Sequence, residues 1–234
     1  MTEDAFAAIR PKLAIALDVD DLIAATRLAR QVSPYFGVAK VGLELFSAAG
    51  PEAIGVMQDL GMKVFLDVKL HDIPNTVNKA ARVLGAFGAN YLTMHARGGP
   101  DMLQAGVEGL SAGAEAAGVE APVGLAVTVL TSDAGAPDHI VPRRLRMALE
   151  AGCGGIVCAA QDLSDARTLV PRLVRVVPGI RPEGVSTDDQ ARSASPQEAL
   201  DGGADLLVIG RAVTNADDPE GAAEALVSSL TVST

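Results

Sequence analysis

The chain has no tryptophan, and aromatic residues make up only 3% of its 234 positions. A sizeable core must therefore be assembled from Ala, Val, Leu and Ile, and a hydrophobic content of 49% is ample for one. Only two cysteines are present, Cys153 and Cys158, and their spacing fits no CxxC or zinc pattern. Two free, buried thiols point to a reducing cytosol. The three histidines, His71, His95 and His139, are too scattered to suggest a metal site. No apolar run approaches the ~18 residues of a membrane-spanning helix, and the N-terminal stretch, with Glu3 and Asp4, lacks the basic-then-apolar pattern of a secretory signal. Positive charge is also scarce: 19 Lys and Arg against 29 Asp and Glu leave a net charge of −10. Such a surface repels nucleic acid and anionic membranes. A small anionic ligand remains compatible, provided its pocket is locally basic. A cytoplasmic protein is expected, with neither nucleic acid nor membrane as partner.

What the sequence does contain is a regular alternation. Eight short apolar runs begin near Leu13, Gly37, Lys63, Tyr91, Val123, Gly155, Arg175 and Leu206. Between them lie Ala-rich segments with i, i+3, i+4 apolar spacing, such as Leu22–Val32 and Val77–Phe87. Strict β/α alternation implies a parallel sheet. Eight units without a linker or composition break, in a chain close to the usual barrel length, imply a single (β/α)8 TIM barrel domain over residues 1–234. An open doubly wound sheet is the alternative.

Period-2 alternation assigns faces. In the first run Leu13, Ile15, Leu17 and Val19 point outward, and Ala14, Ala16 and Asp18 inward. In the second, Ala39, Val41, Leu43 and Leu45 point outward, leaving Lys40, Gly42 and Glu44 inside. In the third, Val64, Leu66, Val68 and Leu70 pack on helices while Phe65, Asp67 and Lys69 enter the barrel. Three neighbouring strands thus aim charge inward near their C-terminal ends, where barrel enzymes hold their chemistry. Asp18, Lys40, Asp67, Lys69 and Asp72 alternate in sign, as a buried network requires if its charges are to be paired. A purely structural ion-pair network is the competing reading.

The seventh run ends in Pro178-Gly179-Ile180-Arg181 and the eighth in Ile209-Gly210-Arg211. Loops after these two strands form the usual phosphate site of the fold. Glycine lets backbone N–H groups approach, and arginine supplies a bidentate clamp. Ordinary turn geometry would also account for either glycine alone. The polar stretch from Pro182 to Pro196 lacks helical periodicity and is long for a βα connection, as a ligand-covering lid would be.

Asp67-Val68-Lys69-Leu70-His71-Asp72-Ile73-Pro74-Asn75-Thr76 resembles the DxKxxD signature of the orotidine 5′-monophosphate decarboxylase superfamily. The resemblance continues through the ALD ending in Asp18, the KVGLELF that carries Lys40, the VTVLTS that carries Thr131, the PGIR ending in Arg181, the DQAR that carries Gln190, and the IGRA with Gly210 and Arg211. It implies decarboxylation of orotidine 5′-monophosphate to UMP by a homodimer without metal or cofactor. In that family's terms Lys69 is the catalytic lysine, with Asp67 beside the substrate carboxylate. Asp72, Ile73 and Thr76 belong to a segment that reaches the partner subunit's site. Asp18 and Lys40 contact the ribose hydroxyls. Thr131, with Ser132 as a companion, meets the pyrimidine edge. Arg181, Gln190, Gly210 and Arg211 hold phosphate and lid.

DxKxxD is shared with Mg²⁺-dependent sister enzymes, the 3-keto-L-gulonate 6-phosphate decarboxylases and hexulose phosphate synthases. These place an acidic metal ligand at the end of the second strand, where this chain has Lys40. A non-catalytic phosphate-ligand barrel is a further alternative. It would have no need of Asp67 and Lys69 together. His95 reads as a packed structural histidine, His71 faces away from Lys69, and His139 belongs to the surface. Glu44 points inward by alternation without an assigned role.

Overall fold

The computed structural model describes residues 3–133, 135–181 and 194–231. Its elements follow the alternation closely. They are α1 (Glu3–Ile9), β1 (Leu13–Ala16), α2 (Leu22–Val32), β2 (Val38–Gly42), α3 (Leu43–Ala49), α4 (Glu52–Asp59), β3 (Lys63–Leu70), α5 (Pro74–Gly85) and β4 (Tyr91–His95). There follow α6 (Pro100–Ala117), β5 (Val123–Val127), α7 (Ile140–Glu150), β6 (Gly155–Val157), α8 (Leu163–Leu169) and β7 (Val174–Val177). The chain ends with α9 (Pro196–Asp201), β8 (Leu206–Ile209), α10 (Arg211–Thr214) and α11 (Pro219–Thr231). All eight strands are parallel and close in sequence order, with β1 pairing β8 through Leu13↔Leu207 and Ile15↔Ile209. The protein is a (β/α)8 TIM barrel.

Strand alternation divides the apolar residues into two shells. The inner one contains Ala14, Ala16, Val38, Phe65, Leu125, Val127, Val157, Val176, Leu206 and Val208. The outer shell, between barrel and helices, takes up Leu13, Ile15, Leu17, Val64, Leu66, Leu92 and Met94. With both faces covered, the strands read as near-continuous apolar runs. Few aromatics are needed, because small and branched side chains fill the barrel. Phe65 is the largest inner-shell member and packs edge-on against Tyr91, 6.1 Å between ring centroids.

Several boundaries differ from the sequence expectation, beginning with β1, which stops at Ala16 short of Val19. β2 stops at Gly42, and Leu43 opens α3 instead of continuing the strand. Leu43 and Glu44 are therefore exposed on a helix rather than alternating outward and inward. Short apolar runs cannot separate strand from helix by periodicity alone, and LELFSAA is a good helix former. α5 begins at Pro74, a residue that suits a first helical position, and ends at Gly85 rather than at Phe87. The polar stretch after β7 ends at Ser195, not Pro196. Ser195 caps α9 by accepting a hydrogen bond from the Glu198 N–H, while the Glu198 carboxylate accepts one from the Ser195 N–H at 2.9 Å.

The segment after β3 is held from behind by close helix packing. A Cβ on Gly109 of α6 would lie 2.3 Å from the Asn78 carbonyl oxygen of α5, and one on Gly113 only 1.9 Å from that of Arg82. Glycine lets the two helix backbones touch. This anchors α5, and with it the run from Asp72 to Thr76 at the barrel mouth.

Candidate active site

The site begins with an irregularity in β3. Its register with β4 runs Phe65↔Tyr91 and Leu66↔Leu92, then resumes at Leu70↔Met94. Four steps along β3 thus match two along β4. The excess is absorbed as a bulge in which Lys69 adopts a positive φ of 48°, the one such non-glycine among the described residues. Asp67 and Lys69 both project from this bulge into the barrel mouth. The Lys69 ammonium donates to both Asp67 carboxylate oxygens, at 2.9 and 2.8 Å.

β2 supplies the next charge. Lys40, nearly buried, donates to Asp18 Oδ1 at 2.8 Å and lies 3.9 Å from Asp67 Oδ2. Asp18, Lys40, Asp67 and Lys69 thus form one chain of alternating charge across β1, β2 and β3. Gly42 makes room for it: a Cβ there would lie 2.9 Å from Lys40 Nζ and 3.1 Å from Asp18 Oδ1. Asp72 does not join the network. It is exposed beyond the strand end, its carboxylate accepting from the Ile73 N–H at 2.6 Å. Ile73 and Thr76 are exposed beside it, Ile73 at 66%. None of the three lines the cavity of its own barrel.

That cavity has a volume of about 510 Å³. Its floor is the inner shell, including Ala16, Phe65, Val127 and Val208. The Asp18–Lys69 network borders one side, with Val129, Leu130 and Thr131 after β5. The remaining wall comes from the ends of β7 and β8: Pro178, Gly179, Arg181, Gly210, Arg211, Thr214 and Asn215. Gly179 has φ +78°, a conformation that disfavours any side chain. Arg181 is buried and donates to the Ile180 carbonyl at 3.1 Å. Its own backbone N–H donates to the Ala194 carbonyl at 3.0 Å. Gln190 lies outside the described residues. Four cationic side chains, Lys40, Lys69, Arg181 and Arg211, face two carboxylates, Asp18 and Asp67. On a chain of net charge −10 this is the locally basic pocket that an anionic ligand requires.

The pattern of the orotidine 5′-phosphate decarboxylase / HUMPS family matches residues 11–226. The chain belongs to this family. The orotidine 5′-phosphate decarboxylase of Anaeromyxobacter sp. (strain K) is 46% identical to it over 230 residues, covering 94% of this chain and 98% of the relative. That of Moorella thermoacetica is 43% identical over 233 residues, covering 94% and 92%. The crystal structure of the Lactobacillus acidophilus orotidine 5′-phosphate decarboxylase superimposes with a TM-score of 0.78 at 34% identity, over 94% of this chain and 99% of that one.

In this member of the orotidine 5′-phosphate decarboxylase / HUMPS family the other titratable groups play no visible part in the network. Burial pushes the Cys153 thiol up to about 12, which keeps it protonated and inert. His139 is exposed. His95 is half-buried, with its ring 5.6 Å from that of His71, and its Nδ1 accepts from the Arg97 N–H at 3.2 Å. Burial, then the nearby charge of Arg144, His71, Arg97 and Lys69, lowers its pKa to about 4. The unfolded chain takes up this proton near pH 6.5 and the folded one only near pH 4. Stability from neutral His95 is therefore fully present above pH 6.5 and is lost as the pH falls from 6.5 towards 4. We expect the melting temperature of His95→Gln to fall less steeply across that window than wild type. Parallel melting curves against pH would contradict the assignment.

One buried member of the site is not singled out by the sequence reading. Thr93 of β4 is fully buried and hydrogen-bonded to both Asp67 and the Lys69 backbone. Alternation between outward Leu92 and Met94 already turns it inward. A lone threonine in an apolar strand nonetheless reads as β-branched filler, and the bulge that brings it to Lys69 leaves no trace in periodicity.

Proposed function

We propose that the protein decarboxylates orotidine 5′-monophosphate to UMP and CO₂, the last step of de novo pyrimidine nucleotide synthesis. It does so as a cytoplasmic homodimer without metal or cofactor. The observation that carries this reading is the Asp67–Lys69 pair at the mouth of a basic cavity, four strands from the Gly179–Arg181 exit of β7.

Loss of CO₂ leaves an electron pair on C6 in the plane of the pyrimidine ring, where the ring π-system cannot delocalise it. The remaining means of stabilising it is a fixed positive charge in a site poor in water. Lys69 supplies that ammonium, held by Asp67, and then donates the proton to C6. Asp67 meets the departing carboxylate of the substrate. Asp18 and Lys40 take the ribose hydroxyls, and Thr131 the pyrimidine edge. Arg181, Gln190, Gly210 and Arg211 take the phosphate, whose binding energy orders a site remote from it. Asp72, Ile73 and Thr76 reach the partner's cavity. Their exposure beside their own barrel supports that arrangement, and a two-fold interface, which presents the same patch twice, would complete both cavities.

The reaction is followed as loss of orotidine monophosphate absorbance in protein exhaustively treated with EDTA. We expect full activity, unchanged on adding Mg²⁺. Activity that vanished and returned with Mg²⁺ would overturn metal independence. No turnover of this substrate under either condition would overturn the function.

A further inference from the structure

We infer that Thr93 is a positioning residue for the Asp67–Lys69 pair, its hydroxyl linking the bulged backbone to the reacting charges. This rests on the decarboxylase reading for its kinetic consequences, but the link itself is a matter of geometry.

At the bulge, the β3–β4 ladder is interrupted between Leu66↔Leu92 and Leu70↔Met94. Thr93 is the β4 residue that faces the interruption. The Lys69 N–H donates to Thr93 Oγ1 at 2.9 Å, replacing a ladder bond by a side-chain one. The same hydroxyl has a single proton, and it is directed to Asp67 Oδ1, also at 2.9 Å. Asp67 Oδ1 in turn receives the Lys69 ammonium. The result is a closed ring: Lys69 backbone, Thr93 hydroxyl, Asp67 carboxylate, Lys69 ammonium. Thr93 is completely buried, so water cannot stand in for either bond.

Two consequences follow. The positive φ of Lys69 is an uncommon state for a long side chain, and it persists only where surrounding contacts over-determine it. The Thr93 hydroxyl is such a contact. The orientation of the Asp67 carboxylate is set by the same atom, so the ammonium is aimed through Thr93 as well as through the Lys69 side chain. Threonine suits this task better than a longer polar residue. Its branched carbon restricts χ1, and its hydroxyl both donates and accepts.

The test compares Thr93→Val, which keeps the shape and removes the hydroxyl, with Thr93→Ser, which keeps the hydroxyl. Thr93→Val leaves a buried N–H and a carboxylate lone pair without their partner. We expect its kcat to fall about 10- to 100-fold with KM and UMP affinity little changed. Thr93→Ser should return most of the lost kcat. A wild-type kcat in Thr93→Val, an equal loss in both variants, or an effect confined to KM would overturn the assignment. The wild-type protein gives an independent measurement should Thr93→Val fail to fold. Hydrogen exchange at the Lys69 amide is expected to be slow, and rapid exchange there would also overturn it. Because exchange needs no substrate, failure of the decarboxylase reading would appear as an inactive wild type with a protected Lys69 amide. Failure of the Thr93 assignment would appear as an active wild type with an unprotected one.

Discussion

Lys69→Ala should lower kcat on the order of 10⁴-fold or more, because in the proposed mechanism it removes both the charge that stabilises the C6 carbanion and the acid that protonates it. The ammonium is already fixed by Asp67 on both carboxylate oxygens, so no reorganisation is needed as charge develops. Affinity for UMP should change little, since the interaction is strongest in the transition state and UMP carries no negative charge at C6. The variant should still fold. Lys69 is partly exposed at the cavity, and Asp67 retains Thr93 and has Lys40 at 3.9 Å. Single-turnover and steady-state rates with UMP titrations check this. A Lys69→Ala protein with raised KM and unchanged kcat would make Lys69 a binding residue instead.

Arg211→Ala should weaken binding of orotidine monophosphate and UMP by about 2–4 kcal/mol if the bound phosphate desolvates the exposed Arg211 guanidinium. The reasoning starts from position. Arg211 stands directly after Gly210, at the end of β8, and lines the cavity together with Gly179 and Arg181 from β7. Phosphate sites of barrels lie after these two strands. The decisive control is orotidine, which lacks the phosphate: its turnover should be nearly indifferent to Arg211→Ala. Equal damage with both substrates would mean that Arg211 supports the barrel mouth rather than the phosphate.

Much of the fold is legible because each link is local. Strands covered on both faces read as short apolar runs, and eight of them in strict alternation with helices leave little besides a closed barrel. The inward placement of Lys40 and Asp67 follows from period-2 alternation, while Asp18 stands exposed past the end of β1 and Lys69 sits in a bulge; the cavity brings these four together with Thr131, Arg181, Gly210 and Arg211. Alternation fails where the backbone changes state. Glu44 counts as inward only if β2 continues, and Gly42 ends it. The bulge at Lys69 depends on pairing with a strand 24 residues away, so the sequence around it carries no local sign. Thr93 escapes notice for the same reason. The capping pair Ser195 and Glu198, by contrast, is a local signal that fixes the start of α9 within an otherwise polar stretch. Asp72 stands apart: its place in the DxKxxD run implies chemistry, yet it does not line the cavity of its own barrel.

Mixing Lys69→Ala and Asp72→Ala subunits tests the proposed sharing of each catalytic site between two subunits most directly. Each variant alone should be nearly inactive. After subunit exchange at equal amounts, half of the dimers are hybrids. If Asp72 acts on the partner's cavity, each hybrid has one site carrying both lesions and one intact site. About a quarter of wild-type activity should then return. If Asp72 acts within its own barrel, every site keeps one lesion. Proven exchange with no recovered activity would contradict a site built from two subunits.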